Sequence, residues 1–217
     1  MKQVVSDKYS IAWFKIAECV AKGERERALG IYRLLSHSID NQALSRQLEA
    51  DILLFFGDPS ALEKYKEAAQ LYAQQQRFLE AVAIYEHLLT IGAPEAGCLP
   101  ALVEWSIALA HKNKIAEYGL KLADSFLQKG DLEQAYHLFQ QAITHARSSD
   151  RTVSFMVKMI DFSVSHNRSD SLIMAMVHDC LDELIIDQST QLLQIFLLQL
   201  ENNHPALYLR SCQYLKA

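Results

Sequence analysis

Residues 63–89 read EKYKEAAQLYAQQQRFLEAVAIYEHLL, and this stretch decides the fold. Tyr65, Ala68, Ala69 and Tyr72 recur at steps of three, one and three, which lays them along one face of a helix. Lys64, Lys66, Glu67 and Gln70 fall elsewhere. After a connection of only Gln76-Arg77, the stripe resumes with Phe78, Ala81, Val82, Tyr85, Leu88 and Leu89. Two amphipathic helices joined by so short a turn pack antiparallel. The small residues Ala68, Ala69 and Ala81 let the backbones approach, and the tyrosines fill the grooves beside them.

The same punctuation runs through the rest of the chain. Gly23, Asp40-Asn41, Gly57-Asp58-Pro59, Pro94, Lys112-Asn113, Gly130-Asp131, Ser148-Ser149-Asp150, Asn167-Arg168-Ser169-Asp170, Asp187 and His204-Pro205 mark further breaks. They divide the chain into about twelve segments, each about four to five helical turns long. With 7 glycines and 4 prolines in 217 residues, the sequence lacks the turn formers that a sandwich or barrel requires. Asp58-Pro59 offers one helix a side-chain acceptor and a first-turn proline. Asp131 and Gln134 have the spacing of a capping box.

An aromatic, a small pair and an aromatic on one helix, then a small residue and an aromatic on the next, resemble a tetratricopeptide repeat. Three pairs carry the resemblance. Tyr65, Ala68, Ala69, Tyr72, Ala81, Tyr85 and Leu88 form one, and Leu122, Ala123, Phe126, Gly130, Asp131, Ala135, Phe139 and Ala142 form a second. Trp13, Ile16, Ala17, Val20, Gly23, Ala28, Tyr32 and Leu35 form a third with a shorter turn, and together the pairs cover a little under half of the chain. The period departs from the family. Gly23, Gln76 and Gly130 stand 53 and 54 residues apart, against about 34 in tandem tetratricopeptide arrays. Extra helices without the motif are therefore predicted over roughly 40–56, 96–111 and 150–166. The expected fold is all-α: a divergent, right-handed α-solenoid of antiparallel helix pairs, about twelve helices in a single domain over 1–217. Residues 168–217 form a C-terminal capping or docking subregion. Its apolar segments, 172–177, 192–200 and 206–215, are expected to be buried between neighbours, with an exposed docking face or dimer interface as the alternative.

Composition narrows the function. A net charge of -5 gives no basic field for nucleic acid or an anionic bilayer. The opening MKQVVSDKYSIAWF has no secretion signal, and the most apolar run, 192–200, is too short to span a bilayer. Cys19, Cys98, Cys180 and Cys212 are widely spaced and are read as reduced thiols of a cytoplasmic protein.

No catalytic, cofactor or metal site emerges. The sequence holds no phosphate-binding glycine loop, no GxSxG and no HExxH. The eight histidines include no pair at the i,i+4 spacing that would put two ligands on one helical face, although His137 and His145 lie two turns apart. His178-Asp179-Cys180 gathers three reactive types, yet consecutive residues on a helix point about 100° apart, so they do not converge. Trp13 and Trp105 are read as core, with Trp105 also a candidate anchor for a partner.

The resemblance implies a groove along the first helix of each pair. Its lining would be Lys15, Glu18, Lys66, Gln70, Gln74, Lys121 and Ser125. Some members of the family grip a carboxylate with a cationic clamp. Here Lys66 with Gln70, and Lys121 with Asp124, leave that clamp incomplete, so chaperone tails are not expected. The expected function is a non-catalytic scaffold or adaptor that holds a peptide or helix of a protein partner. The alternative is a subunit of a larger assembly, or a homodimer, docked through the C-terminal helices.

Overall fold

The structure, a computed structural model, describes residues 3–145 and 149–216, without the side chains of residues 3–10, Ala96 and His145. The sequence readings at residues 1–10, at Ser148 and at the His145 side chain lie outside the described residues. The chain forms α1 (Gln3–Ala21), α2 (Arg25–Ser36), α3 (Gln42–Phe55), α4 (Ala61–Gln74), α5 (Phe78–Thr90) and α6 (Glu95–Ala108). It continues with α7 (Lys112–Gln128), α8 (Leu132–His145), α9 (Asp150–Ser165), α10 (Asp170–Ile186), α11 (Thr190–Asn203) and α12 (Pro205–Tyr214). Twelve helices and no strand occur among the described residues. The all-α expectation is met, and α3, α6 and α9 are the three extra helices.

The helices fall into two compact units, residues 1–98 and 99–217. In the first, α1 packs on α2, α3 on α4 and α4 on α5. Tyr65, Ala68, Ala69, Tyr72, Ala81, Tyr85 and Leu88 are all buried, so the motif residues do form the contact between helices. Ile16, Cys19, Ala28, Leu29, Tyr32, Leu35, Ile52, Leu53 and Ala61 form a continuous core, against which Trp13 is half-buried. Each large apolar side chain so buried contributes about 1.5–3 kcal/mol.

In the second unit α7 packs on α8, and α9 meets α10 and α11. Ala123, Leu127, Ala135, Phe139 and Ala142 continue into Met156, Met159, Ile160, Val177, Leu181, Leu184, Phe196 and Leu200 as one core. Trp105 is buried. Helices α7 and α8 approach closely at Gly119, where an added Cβ would stand 2.9 Å from the Ala142 Cβ. α11 is less enclosed than its apolar circumference predicts. Phe196 and Leu200 are buried, Leu192, Leu193, Ile195 and Leu197 are half-buried, and Leu198 is 57% exposed.

The turns show a longer repeat. Gly23, Gln76, Gly130 and Gln188 follow α1, α4, α7 and α10, and all have positive φ. Gly57, Ala110 and Asn167 do the same after α3, α6 and α9. Each turn closes with the paired backbone bonds of a Schellman motif, as in Gln76 N–H to the Ala73 carbonyl and Arg77 N–H to the Tyr72 carbonyl, both 2.9 Å. Gln76, Ala110, Asn167 and Gln188 bear a left-handed backbone that favours glycine, so closing the turn outweighs the local strain. The three-helix groups α1–α3, α4–α6, α7–α9 and α10–α12 account for the period near 54.

Two caps differ from expectation. α4 begins at Ala61, so Pro59 lies before its first turn, and the Asp58 carboxylate accepts from the Ser60 N–H at 2.9 Å. Asp131 accepts from the Gln134 N–H at 3.1 Å, which is half of a capping box. The complete box is Ser149 with Thr152.

Tyrosine hydroxyls tie neighbouring helices together. Tyr32 donates to the Ser45 carbonyl at 2.6 Å and Tyr72 to Gln47 Oε1 at 3.3 Å. Tyr65 donates to the Asp51 carboxylate, and Tyr136 to that of Asp179. Burial, and then the adjacent carboxylate, raise the pKa of Tyr65 and Tyr136 well above the ordinary phenol value.

Two predictions follow from this packing. Ala81→Trp and Ala135→Trp, both at sites with no exposed surface, are each expected to destabilise their unit by roughly 1–3 kcal/mol through overpacking. Gly119→Ala is expected to do so in the same direction. Denaturant titration checks this, and unchanged midpoints would refute the helix pairing. The second concerns alkali. A phenol whose folded pKa is raised adds stability that is complete below the unfolded value of about 10. That stability falls as pH climbs from there toward the folded value. Absorbance at 295 nm during alkaline titration is expected to show the Tyr65 and Tyr136 phenols ionising last and together with unfolding. In Tyr65→Phe that late component should shrink and in Tyr65→Phe/Tyr136→Phe it should disappear, since burial and a carboxylate raise both phenols. An undiminished component in Tyr65→Phe would exclude Tyr65 as a source.

Candidate partner-binding site

The sequence of α2–α4 places three polar helix faces around one concavity of about 520 Å³. Tyr32, Arg33 and Ser36 come from α2, Gln42, Ser45, Arg46 and Glu49 from α3, and Glu67, Gln70, Leu71 and Gln74 from α4. On α4 these last residues recur at i, i+3, i+4 and i+7, which makes them one helical face. That face lies opposite Tyr65, which is buried.

The charges of the groove are organised. Arg46 sits between two carboxylates, 2.8 Å from Glu49 and 3.3 Å from Glu67. Lys64 meets both oxygens of Glu67 at 3.0 Å. Arg33 has no ion pair among the described residues. The groove thus presents one unneutralised guanidinium beside the amides of Gln42, Gln70 and Gln74 and the hydroxyls of Ser36 and Ser45. Amides both donate and accept, so such a lining suits an extended backbone.

The predicted lining residues are not all brought together. Gln70 and Gln74 share the groove. Lys66, one turn earlier, pairs with Glu63 at 2.7 Å, and its charge acts on Tyr85 and Cys98. Lys15 and Glu18 are exposed on α1 outside this lining, and Glu18 is held 2.5 Å from Lys22. Lys121 lines a separate concavity of about 530 Å³ between α7 and α9. There it faces Glu117 at 3.4 Å, while Lys158 pairs with Asp124. Ser125 is half-buried and is not part of that lining. Tyr32, Arg33, Gln42 and Arg46 were missed because the groove was sought on the first helix of each pair only. The polar face of 42–49, at helical spacing and flanked by the buried Ala43 and Ala50, was the available signal.

The reactive triplet on α10 disperses as its spacing requires. His178 stacks on Tyr214 with ring centroids 3.9 Å apart, Asp179 receives the Tyr136 hydroxyl, and Cys180 is enclosed in the core. Burial raises the Cys180 thiol pKa far above its ordinary value. No group of three or more His, Cys, Asp or Glu side chains is placed to hold a metal ion among the described residues. No helix among them is long and apolar enough to cross a membrane.

No known protein family matches the sequence, and no curated protein does. Among the solved structures similar to the chain are three whose matches span most of it. MamA of RS-1, an ArsTM double mutant, shares 17% identity over 85% of this chain and 97% of its own, with a TM-score of 0.41. PilF of Pseudomonas aeruginosa shares 14% identity over 96% of this chain and 98% of its own, with a TM-score of 0.30. The TPR domain of P58(IPK) shares 14% identity over 93% of this chain and 76% of its own, with a TM-score of 0.26. At these distances the likenesses bear on neither the site nor its chemistry.

Proposed function

We propose that this protein is a non-catalytic interaction scaffold whose α2–α4 groove holds an extended segment of a protein partner. The observation that carries this reading is the groove itself: about 520 Å³ of concave, polar surface with Arg33 unneutralised and Arg46 fixed between two carboxylates. Fixed polar groups lower the ordering cost of binding. The amides of Gln70 and Gln74 then pair with the partner's backbone, and Arg33 selects a segment carrying a carboxylate. In this reading residues 1–217 work as one repeat domain in the cytoplasm, without a cofactor and without nucleic acid.

A second reading, a subunit of a larger assembly or a homodimer, is favoured by the exposed apolar side chains of the C-terminal helices. Ile186 is 73% and Leu209 63% exposed, with Ile185 at 48%. Exposed apolar surface of this kind marks association sites when it is contiguous.

Two measurements separate these readings. In affinity capture with mild crosslinking and mass spectrometry, Arg33→Glu/Gln74→Glu is expected to lose a partner that wild type and Lys66→Glu both retain. A partner kept by the groove variant would sink the groove reading. In sedimentation velocity, the scaffold is expected to run as a monomer at micromolar concentration. A dimer abolished by Ile186→Asp/Leu209→Asp would establish the second reading instead.

A further inference from the structure

The opposite side of the α3–α4 pair carries a different kind of site. Gln47 and Asp51 on α3 are rotated about half a turn from the groove residues Ser45, Arg46 and Glu49. With Tyr65 from α4 and Glu80, Ala83, Ile84 and His87 from α5, they enclose a pocket of about 330 Å³. That volume lies at the small end of the range for ligand sites, roughly 300–1,000 Å³. It has room for one long side chain rather than a helix.

The walls of this pocket are aromatic. The rings of Tyr65 and His87 meet edge-on, with centroids 5.2 Å apart and planes at 73°. The floor is polar and acidic. Tyr65 is 2% exposed, and its hydroxyl donates to one oxygen of Asp51. Asp51 itself is exposed and has no ion pair with a cation among the described residues. The second carboxylate, Glu80, is already matched by Arg77 at 2.6 Å, and Arg77 in turn lies over the Tyr72 ring, 4.7 Å from its centroid. Gln47, whose Oε1 accepts from Tyr72, also lines the pocket. The pocket therefore keeps one uncompensated negative charge next to π-rich walls.

We infer that this pocket between α3, α4 and α5 is a recognition site for a single cationic side chain, arginine above all, presented by a protein partner. A planar guanidinium matches the carboxylate fork of Asp51 while its face lies against the exposed ring of His87. Cation–π attraction and a charge-assisted hydrogen bond then act on the same group. Because Tyr65 donates to Asp51, the carboxylate is held in one orientation before the ligand arrives. The site is independent of the α2–α4 groove, since it uses the other face of α3 and α4 and none of the same residues.

The test uses the full chain, isotopically labelled, with two probes of equal shape: N-acetyl-argininamide and its neutral counterpart N-acetyl-citrullinamide. Saturable shifts of the backbone amides around Gln47, Asp51, Tyr65 and His87 are expected with the arginine probe, at least about tenfold tighter than with the citrulline probe. Asp51→Asn keeps an oxygen to accept from Tyr65 and is expected to erase that preference. Ala83→Lys, a change at an exposed position on the rim, is expected to erase it as well and guards against misfolding of the first variant. Equal binding of the two probes, no saturable shift at the pocket, or a preference that survives both variants would overturn the assignment.

Discussion

The spacing between helices depends on small residues. At Gly119 an added methyl carbon would come within 2.9 Å of the Ala142 Cβ, and Ala28, Ala68, Ala69, Ala81, Ala123 and Ala135 are buried without residual surface. At these crossings backbones approach until nothing larger fits, and the aromatic residues on either side fill what remains. Dispersion falls steeply with separation, so a methyl group at the crossing would weaken many contacts along both helices. The polar surfaces inherit this rigidity. Arg46, Glu49 and Glu67 hold their geometry because α3 and α4 are held at a fixed distance by the contact beneath them.

Helix identity was legible because the apolar stripes of 65–72 and 78–89 have a period that no strand can satisfy. The extra helices were legible from turn chemistry alone, since Gly57-Asp58 and Asn167-Arg168 mark chain reversals whatever flanks them. Burial in α11 was less legible. Composition gives the apolar fraction of a helix, whereas the number of neighbours it meets is set by tertiary packing, and Leu198 stays 57% exposed. The site was legible only in part. Gln70 and Gln74 follow from the polar face of α4, but their companions Arg33, Gln42 and Arg46 come from helices adjacent in space through turns. The pocket of Asp51, Tyr65 and His87 joins residues up to 36 positions apart, and nothing local announces it.

The α3–α4 pair has two chemically distinct sides. One faces the Arg33 guanidinium of α2 with its own amides and a serine hydroxyl, and the other presents a carboxylate beside aromatic rings. A chain of net charge -5 thus carries an isolated positive feature and an isolated negative one on opposite sides of a single layer. Local charge, rather than the sum, decides which ligand groups can be accepted on each side.

The three-helix period has a geometric result of its own. Helices joined by short turns reverse direction, so a unit of two helices returns its copies in the same sense, while a unit of three returns them inverted. Within the first unit α1 and α4 accordingly run in opposite senses, as do α7 and α10 within the second. A side chain and its counterpart one period later hold the same place along their own helices and so stand at opposite edges of the layer. A partner lying across such an array would encounter no translational row of equivalent groups, only a sequence of unlike neighbours. Specificity in this architecture is therefore written once, at a particular layer, instead of being multiplied by repetition.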